Sequence, residues 1–146
     1  MNVEAFLDTN VLVYAAAGRE QEATKRAREL DLIDEIDFGL SAQVLQEFYV
    51  TVVRKVEAPL SPGEALEWIE QLEAFPCQPL DAGLVKLGVE ISQRYRISYW
   101  DGAIVAAAEA LGARTLFTED LNHDQIYSSV RVVNPFIHTI TPQSRP

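Results

Sequence analysis

Val3-Glu4-Ala5-Phe6-Leu7-Asp8-Thr9-Asn10-Val11-Leu12-Val13-Tyr14 is an apolar run broken by three consecutive small polar residues. The part before Asp8 is too short for a helix and reads as a buried strand. Asp8 then falls at the carboxyl end of that strand, with Thr9 and Asn10 turning the chain into a helix. In open α/β sheets ligands bind at that edge. Taken alone, Asp8-Thr9-Asn10 is better explained as a helix cap, because all three residue types favour that position. The decision rests on whether other acids converge on Asp8.

The chain has 146 residues, the size of one domain with a single core. Residues 1–138 are expected to form that domain and 139–146 a flexible tail without pattern. An apolar content of 48% with 23% charged residues is ordinary for a soluble globular protein. No apolar run approaches the ~18 residues needed to cross a membrane. The start carries no basic segment, and Asp8 interrupts its apolar run, so it does not read as a signal peptide. Cys77 is the one cysteine, which excludes an internal disulfide. With only His123 and His138 beside it, a tetrahedral zinc site would need carboxylates. A reducing cytoplasm is the expected compartment.

The net charge of −10 opposes non-specific attraction to a phosphate backbone. It leaves open a nucleic-acid substrate if the acids gather where divalent cations neutralise them. The basic clusters (Lys25, Arg26 and Arg28; Arg54 and Lys55; Arg94 and Arg96) read as solvated helix faces or helix ends.

Working outward, residues 11–17 predict a short helix and 20–32 an amphipathic surface helix. Residues 36–40 predict a short strand. Ser41 then caps a helix running to about residue 56, with Val44, Leu45, Phe48, Tyr49, Val52, Val53 and Val56 on its apolar stripe. Glu47 lies on the flank of that stripe, where a plain surface glutamate is an equal reading. Ser61-Pro62-Gly63-Glu64 is a strong helix start, and the helix is expected to reach about residue 75, with Leu66, Ile69 and Leu72 inward and Trp68 alongside. Pro79 demotes residues 77–80 to an edge strand or loop. Asp81 starts a helix over 82–95, and Ser98 opens one over 99–111 that is apolar nearly all round and so central. Residues 114–118 and 130–133 predict strands, with a polar loop from Glu119 to Asp124 between them. Strands separated by helices point to an α/β fold around a mostly parallel sheet.

Asp8 and Asp120 both follow predicted strands, and parallel strands place both ends on one edge of the sheet. Asp101, three residues after Ser98, lies in the first turn of the central helix, where capping alone would explain it; the helix dipole favours an anionic group there in either case. Glu47 is the fourth candidate. Two charges about 5 Å apart at an effective dielectric near 20 repel by roughly 3 kcal/mol, so such a cluster needs protonation or bound cations. All-oxygen ligands suit Mg²⁺ or Mn²⁺ over zinc, and that pairing serves phosphodiester hydrolysis. No Ser-His-Asp, Cys-His or glycine-rich phosphate motif competes. His123 reads as a surface residue.

Four stretches in order, Phe6 to Ala15 (FLDTNVLVYA), Ser41 to Tyr49 (SAQVLQEFY), Ile97 to Asp101 (ISYWD) and Thr118 to Leu121 (TEDL), resemble PIN-domain ribonucleases, specifically VapC-type toxins of toxin–antitoxin pairs. The resemblance implies a three-layer fold in which helices flank a small, mostly parallel β-sheet, and a Mg²⁺- or Mn²⁺-dependent endoribonuclease. It implies that Asp8, Glu47, Asp101 and Asp120 are the catalytic, metal-binding acids. Thr9 would orient the first carboxylate or a bound water, and Glu119 is a further contributor. It also implies a homodimer inhibited by a cognate antitoxin, whose basic segment would be drawn to an acidic cleft.

Two residues depart from the expected pattern: Gly102 stands where a helix former is expected, and Asp124 where similar sequences often carry glycine. Rival readings are a PIN fold kept only for binding RNA or protein, and a related nuclease acting on single-stranded DNA. A haloacid-dehalogenase-like phosphatase would need an acid at residue 10, which is Asn10. A receiver domain would need paired acids near the start, which are absent.

Overall fold

The computed structural model of the protein describes residues 3–17 and 37–137. The helix expected over 20–32, the cluster of Lys25, Arg26 and Arg28, His138 and the tail lie outside the described residues. In chain order the elements are β1 (Ala5–Leu7), α1 (Thr9–Ala17), β2 (Phe38–Ser41), α2 (Ala42–Val50), a π-helical turn (Thr51–Lys55), α3 (Pro62–Leu72), β3 (Cys77–Gln78), α4 (Ala82–Tyr95), α5 (Tyr99–Ala110), β4 (Thr115–Phe117), β5 (Ile126–Tyr127) and β6 (Val130–Val133). Among the described residues no helix is long and apolar enough to cross a membrane.

The strands form one sheet in the order β3-β2-β1-β4-β6-β5. The opening strand β1 lies inside it, wholly buried, with parallel neighbours on both sides. Ala5 pairs with Phe38 of β2 and with Thr115 of β4, and Leu7 with Phe117. A strand covered on both faces reads as a continuous apolar run, which is what Ala5-Phe6-Leu7 supplies. β6 continues the sheet in parallel beside β4. The short β5 turns back on β6 as the one antiparallel pair among the described strands. The sequence reading has no strand at Ile126–Tyr127, because two residues carry no period.

Local signals place most helix starts. Ser41 Oγ accepts from Val44 N at 3.2 Å and Asp81 Oδ1 from Leu84 N at 2.9 Å. Ser61 and Glu64 exchange both bonds of a capping box, at 3.1 and 2.9 Å. Three helix readings are corrected. The helix after Ser41 leaves the α form at Val50 and widens into a π turn, where the β-branched run Val50-Thr51-Val52-Val53 crowds the regular ladder. Leu60 N then donates to the Val52 carbonyl at 2.9 Å. Helix α3 stops at Leu72, and Phe75 swings out to stack on Phe38 with ring centroids 4.3 Å apart. Leu66 is 54% exposed rather than inward. Ala65, Trp68, Ile69 and Leu72 pack on the core instead, and their i, i+3, i+4, i+7 spacing is the better helical face.

Helix α5 is buried from Gly102 to Ala108, as a central helix should be. It lies so close to α4 that a Cβ on Gly102 would stand 2.6 Å from the Gly88 carbonyl oxygen and 3.0 Å from Ser92 N. The absent side chain is therefore what lets the two backbones meet. Asp124 has φ 69°, the left-handed region where glycine is at ease and aspartate is tolerated. Its carboxylate lies 3.4 Å from His123 Nε2 and 3.9 Å from Arg131. His123 itself is half-buried, and its Nδ1 accepts from Asn134 N at 3.0 Å.

Candidate active site

Asp8 ends β1 with its backbone N–H on the Phe117 carbonyl, at 3.1 Å. The pairing of Leu7 with Phe117 sets the next residue of each strand, Asp8 and Thr118, side by side at the carboxyl edge of the sheet. Both are buried, Asp8 at 5% exposure and Thr118 fully. Thr118 Oγ1 donates to Asp8 Oδ2 at 2.8 Å. The same oxygen accepts from Asp120 N at 3.0 Å and from Asn10 Nδ2 at 3.4 Å. Thr9 N donates to Asp8 Oδ1 at 2.7 Å. One hydroxyl thus joins the first acid to the backbone of the last.

The hydroxyl of Thr9 has a different acceptor from the one the resemblance implies. It donates to Glu47 Oε1 at 2.9 Å, while the backbone N–H of Thr9 holds Asp8. Gln43, one helical turn before Glu47, donates from Nε2 to Glu47 Oε2 at 3.2 Å. Both oxygens of Glu47 are therefore engaged, and the flank of α2 turns toward the edge where Asp8 lies. Asp101 stands in the first turn of α5, its N–H on Ser98 Oγ at 3.0 Å. Glu119 accepts from the Tyr14 hydroxyl at 3.1 Å.

Electrostatics link the acids. Burial pushes the Asp8 carboxyl up to about 7; hydrogen bonds from Thr118 and Thr9 oppose this, and the charges of Asp120 and Glu47 add to it. Burial also raises Asp120, followed by repulsion from Asp101, with further contributions from Glu119 and Glu47 and an opposing hydrogen bond from Asn10. Asp101 is raised by burial and then by Glu47, against its hydrogen bond with Ser98. The structure thus brings Asp8, Glu47, Asp101 and Asp120 within one another's fields, with Glu119 beside Asp120. Among the described residues no three His, Cys, Asp or Glu side chains already form a cage for a metal ion. A groove of about 870 Å³ opens beside the acids, lined by Thr9, Asn10, Glu47 and Asp120 and by Lys55 and Trp100.

Thr118, Gln43 and the side chain of Asn10 are absent from the sequence-based site. The signal for Thr118 was its place one residue past a strand, the same place Asp8 occupies; only the strand register makes the two neighbours. Gln43 precedes Glu47 by one helical turn, which is the spacing for a side-chain contact. The Oδ1 of Asn10 is buried without a hydrogen-bond partner, while its Nδ2 reaches Thr118.

A PIN domain model matches residues 5–128. No curated protein sequence matches the chain. Among solved structures, the chain is similar to one from a toxin–antitoxin complex of Klebsiella pneumoniae, with a TM-score of 0.67 and 18% identity over 90% of this chain and 98% of that one. It is similar to Mycobacterium tuberculosis VapC20, a sarcin-ricin loop cleaving toxin, with a TM-score of 0.67 and 17% identity over 88% of this chain and 99% of that one. A chain of DNA-bound VapBC from Salmonella typhimurium gives a TM-score of 0.59 at 18% identity, over 89% and 96% of the two chains. At these identities the structural likeness concerns the fold, and the family follows from the domain match over most of the chain. The chain belongs to the PIN domain family.

Proposed function

We propose that the protein is a divalent-metal-dependent endoribonuclease, the toxin of a type II toxin–antitoxin pair, with Asp8, Glu47, Asp101 and Asp120 as its catalytic, metal-binding acids. One observation carries this reading: Asp8 is buried at the carboxyl edge of a parallel sheet, raised to about 7, and repelled by Asp120 and Glu47. An arrangement that costs stability at a ligand-binding edge is a candidate for function.

The donor set fits Mg²⁺ or Mn²⁺. It is all oxygen, and its mutual repulsion is what a dication relieves. Mg²⁺ keeps several waters and is commonly held by one or two carboxylates, so a ready three-carboxylate cage is not required. Asp8, Asp101 and Asp120 would hold the ion, with Glu47 at its side. When bound, it supplies Lewis-acid polarisation of a phosphate oxygen and a water of lowered pKa. The chain's own share is positioning. Thr118 and the Thr9 N–H fix the Asp8 carboxylate, and the Thr9 hydroxyl with Gln43 fixes Glu47. Glu119, tied to Tyr14, adds negative charge beside Asp120. In hydrolysis a water oxygen attacks phosphorus, the bond to one ester oxygen breaks, and the water's proton has carboxylate acceptors within the cluster.

The antitoxin is supported by the solved relatives, which include a toxin–antitoxin complex, and by the acidic surface that a basic segment would complement. A homodimer in the cytoplasm completes the reading, and exposed Val85 and Val89 on α4 are apolar surface available to a second copy. The test is to map RNA ends in cells after inducing the wild type beside Asp8→Asn, and to repeat the comparison with purified protein, Mg²⁺ or Mn²⁺, RNA and single-stranded DNA. New ends made only by the wild type support the proposal. Equal cleavage by Asp8→Asn removes it, and cleavage of DNA alone replaces the substrate.

A further inference from the structure

Trp100 is 62% exposed, although a tryptophan carries one of the largest apolar surfaces of any side chain. It lies in the first turn of α5, next to Asp101, and lines the same groove as Glu47 and Asp120. Tyr99 packs on it edge-on, with centroids 5.1 Å apart at 71°. Ser98 Oγ pins the helix start beneath it through the 3.0 Å bond from Asp101 N. The indole is therefore braced beside the acids, with most of its surface in water.

The charge of the protein gives this ring a purpose. At a net charge of −10, the release of counterions that normally supplies sequence-independent affinity for nucleic acid is opposed by the field of the whole chain. Lys55 is the cation among the residues lining the groove. Stacking on a neutral aromatic face is indifferent to that field and serves every base. We propose that Trp100 is a platform on which a nucleobase next to the cleaved phosphodiester stacks, so that the RNA is unpaired there. In a duplex each base already has both faces covered, and only a splayed base reaches the indole. The position beside Asp101 favours RNA over a protein segment as the occupant. The inference rests on the ribonuclease reading above.

The experiment measures steady-state cleavage of a short single-stranded RNA by the wild type, Trp100→Ala and Trp100→Phe. Trp100→Ala should raise KM by about 10- to 100-fold, the range for losing one base–aromatic stack, with kcat nearly unchanged, and Trp100→Phe should restore most of the loss. An abasic residue beside the cleaved bond should raise the wild-type KM similarly and add nothing in Trp100→Ala. An unchanged KM in Trp100→Ala, additive losses with the abasic RNA, or equal cleavage of a fully paired duplex would each overturn the proposal. So would a Trp100→Ala protein that keeps its KM and instead loses a co-purifying protein partner. If the wild type cleaves no RNA, the nuclease reading fails, and stacking is read separately from quenching of tryptophan emission on titration with the same RNA. Quenching that disappears in Trp100→Phe supports the platform, and its absence in the wild type overturns it.

Discussion

Thr118 Oγ1 lies 2.8 Å from Asp8 Oδ2 across a sequence separation of 110 residues. The bond joins two adjacent parallel strands at their carboxyl ends, and the same oxygen receives the Asp120 N–H. A single buried hydroxyl therefore sets the position of one acid directly and of a second through its backbone.

Removing that hydroxyl while keeping the shape tests its role. Thr118→Val should lower stability by about 1–3 kcal/mol, the cost of leaving buried polar partners unsatisfied. It should also lower cleavage at least tenfold, and Thr118→Ser should recover both. Urea unfolding beside a cleavage assay reads the two effects, and an active, fully stable Thr118→Val would show that the hydroxyl is dispensable.

The raised Asp8 carboxyl makes metal-free stability fall with rising pH. Asp8 is protonated in both states below the unfolded value of 3.8, so no cost arises there. Between that value and about 7 the unfolded chain ionises while the folded chain holds its proton, and stability drops until ionisation in the fold is complete. The full cost is on the order of 4 kcal/mol at 1.4 kcal/mol per pH unit. In Asp8→Asn this part of the slope should vanish, leaving the variant more stable than the wild type at pH 8 in chelator although it does not cleave. Denaturant melts from pH 4 to pH 8 decide it, and parallel slopes for the two proteins would contradict the buried-acid account.

Metal should reverse the same cost. Millimolar Mg²⁺ or Mn²⁺ is expected to raise the melting temperature of the wild type more at pH 8 than at pH 5, since binding to the folded state alone stabilises it. Asp8→Asn should show a much smaller rise. A thermal series in which both proteins respond alike would place the metal elsewhere.

Helix packing is open to a separate test. Gly102→Ala places a Cβ 2.6 Å from the Gly88 carbonyl oxygen, a backbone atom that cannot turn aside. The helix-propensity gain of up to about 1 kcal/mol should be outweighed, with a net loss of about 1–3 kcal/mol from overpacking. Equilibrium unfolding by urea gives the sign, and a stabilised variant would mean that the α4–α5 spacing relaxes freely.

What the sequence by itself determined was everything carried by neighbours in the chain. Ser41, Ser61, Asp81 and Ser98 each accept from the N–H three residues on, a bond fixed by local spacing, so helix starts were legible. The continuous apolar run of β1 announced a buried parallel strand, and acids placed one residue past a strand or in a helix's first turn pointed to one edge. Tertiary structure decided what depends on register and contact. The pairing of Leu7 with Phe117 put Thr118 against Asp8, the approach of α1 to α2 gave the Thr9 hydroxyl to Glu47, and the meeting of α4 and α5 gave Gly102 its reason. Leu66 faced outward because Ala65, which binary patterning undervalues, belongs to the better-spaced face. Strand pairing and helix contact join residues tens of positions apart, and a single sequence carries no periodicity over that distance.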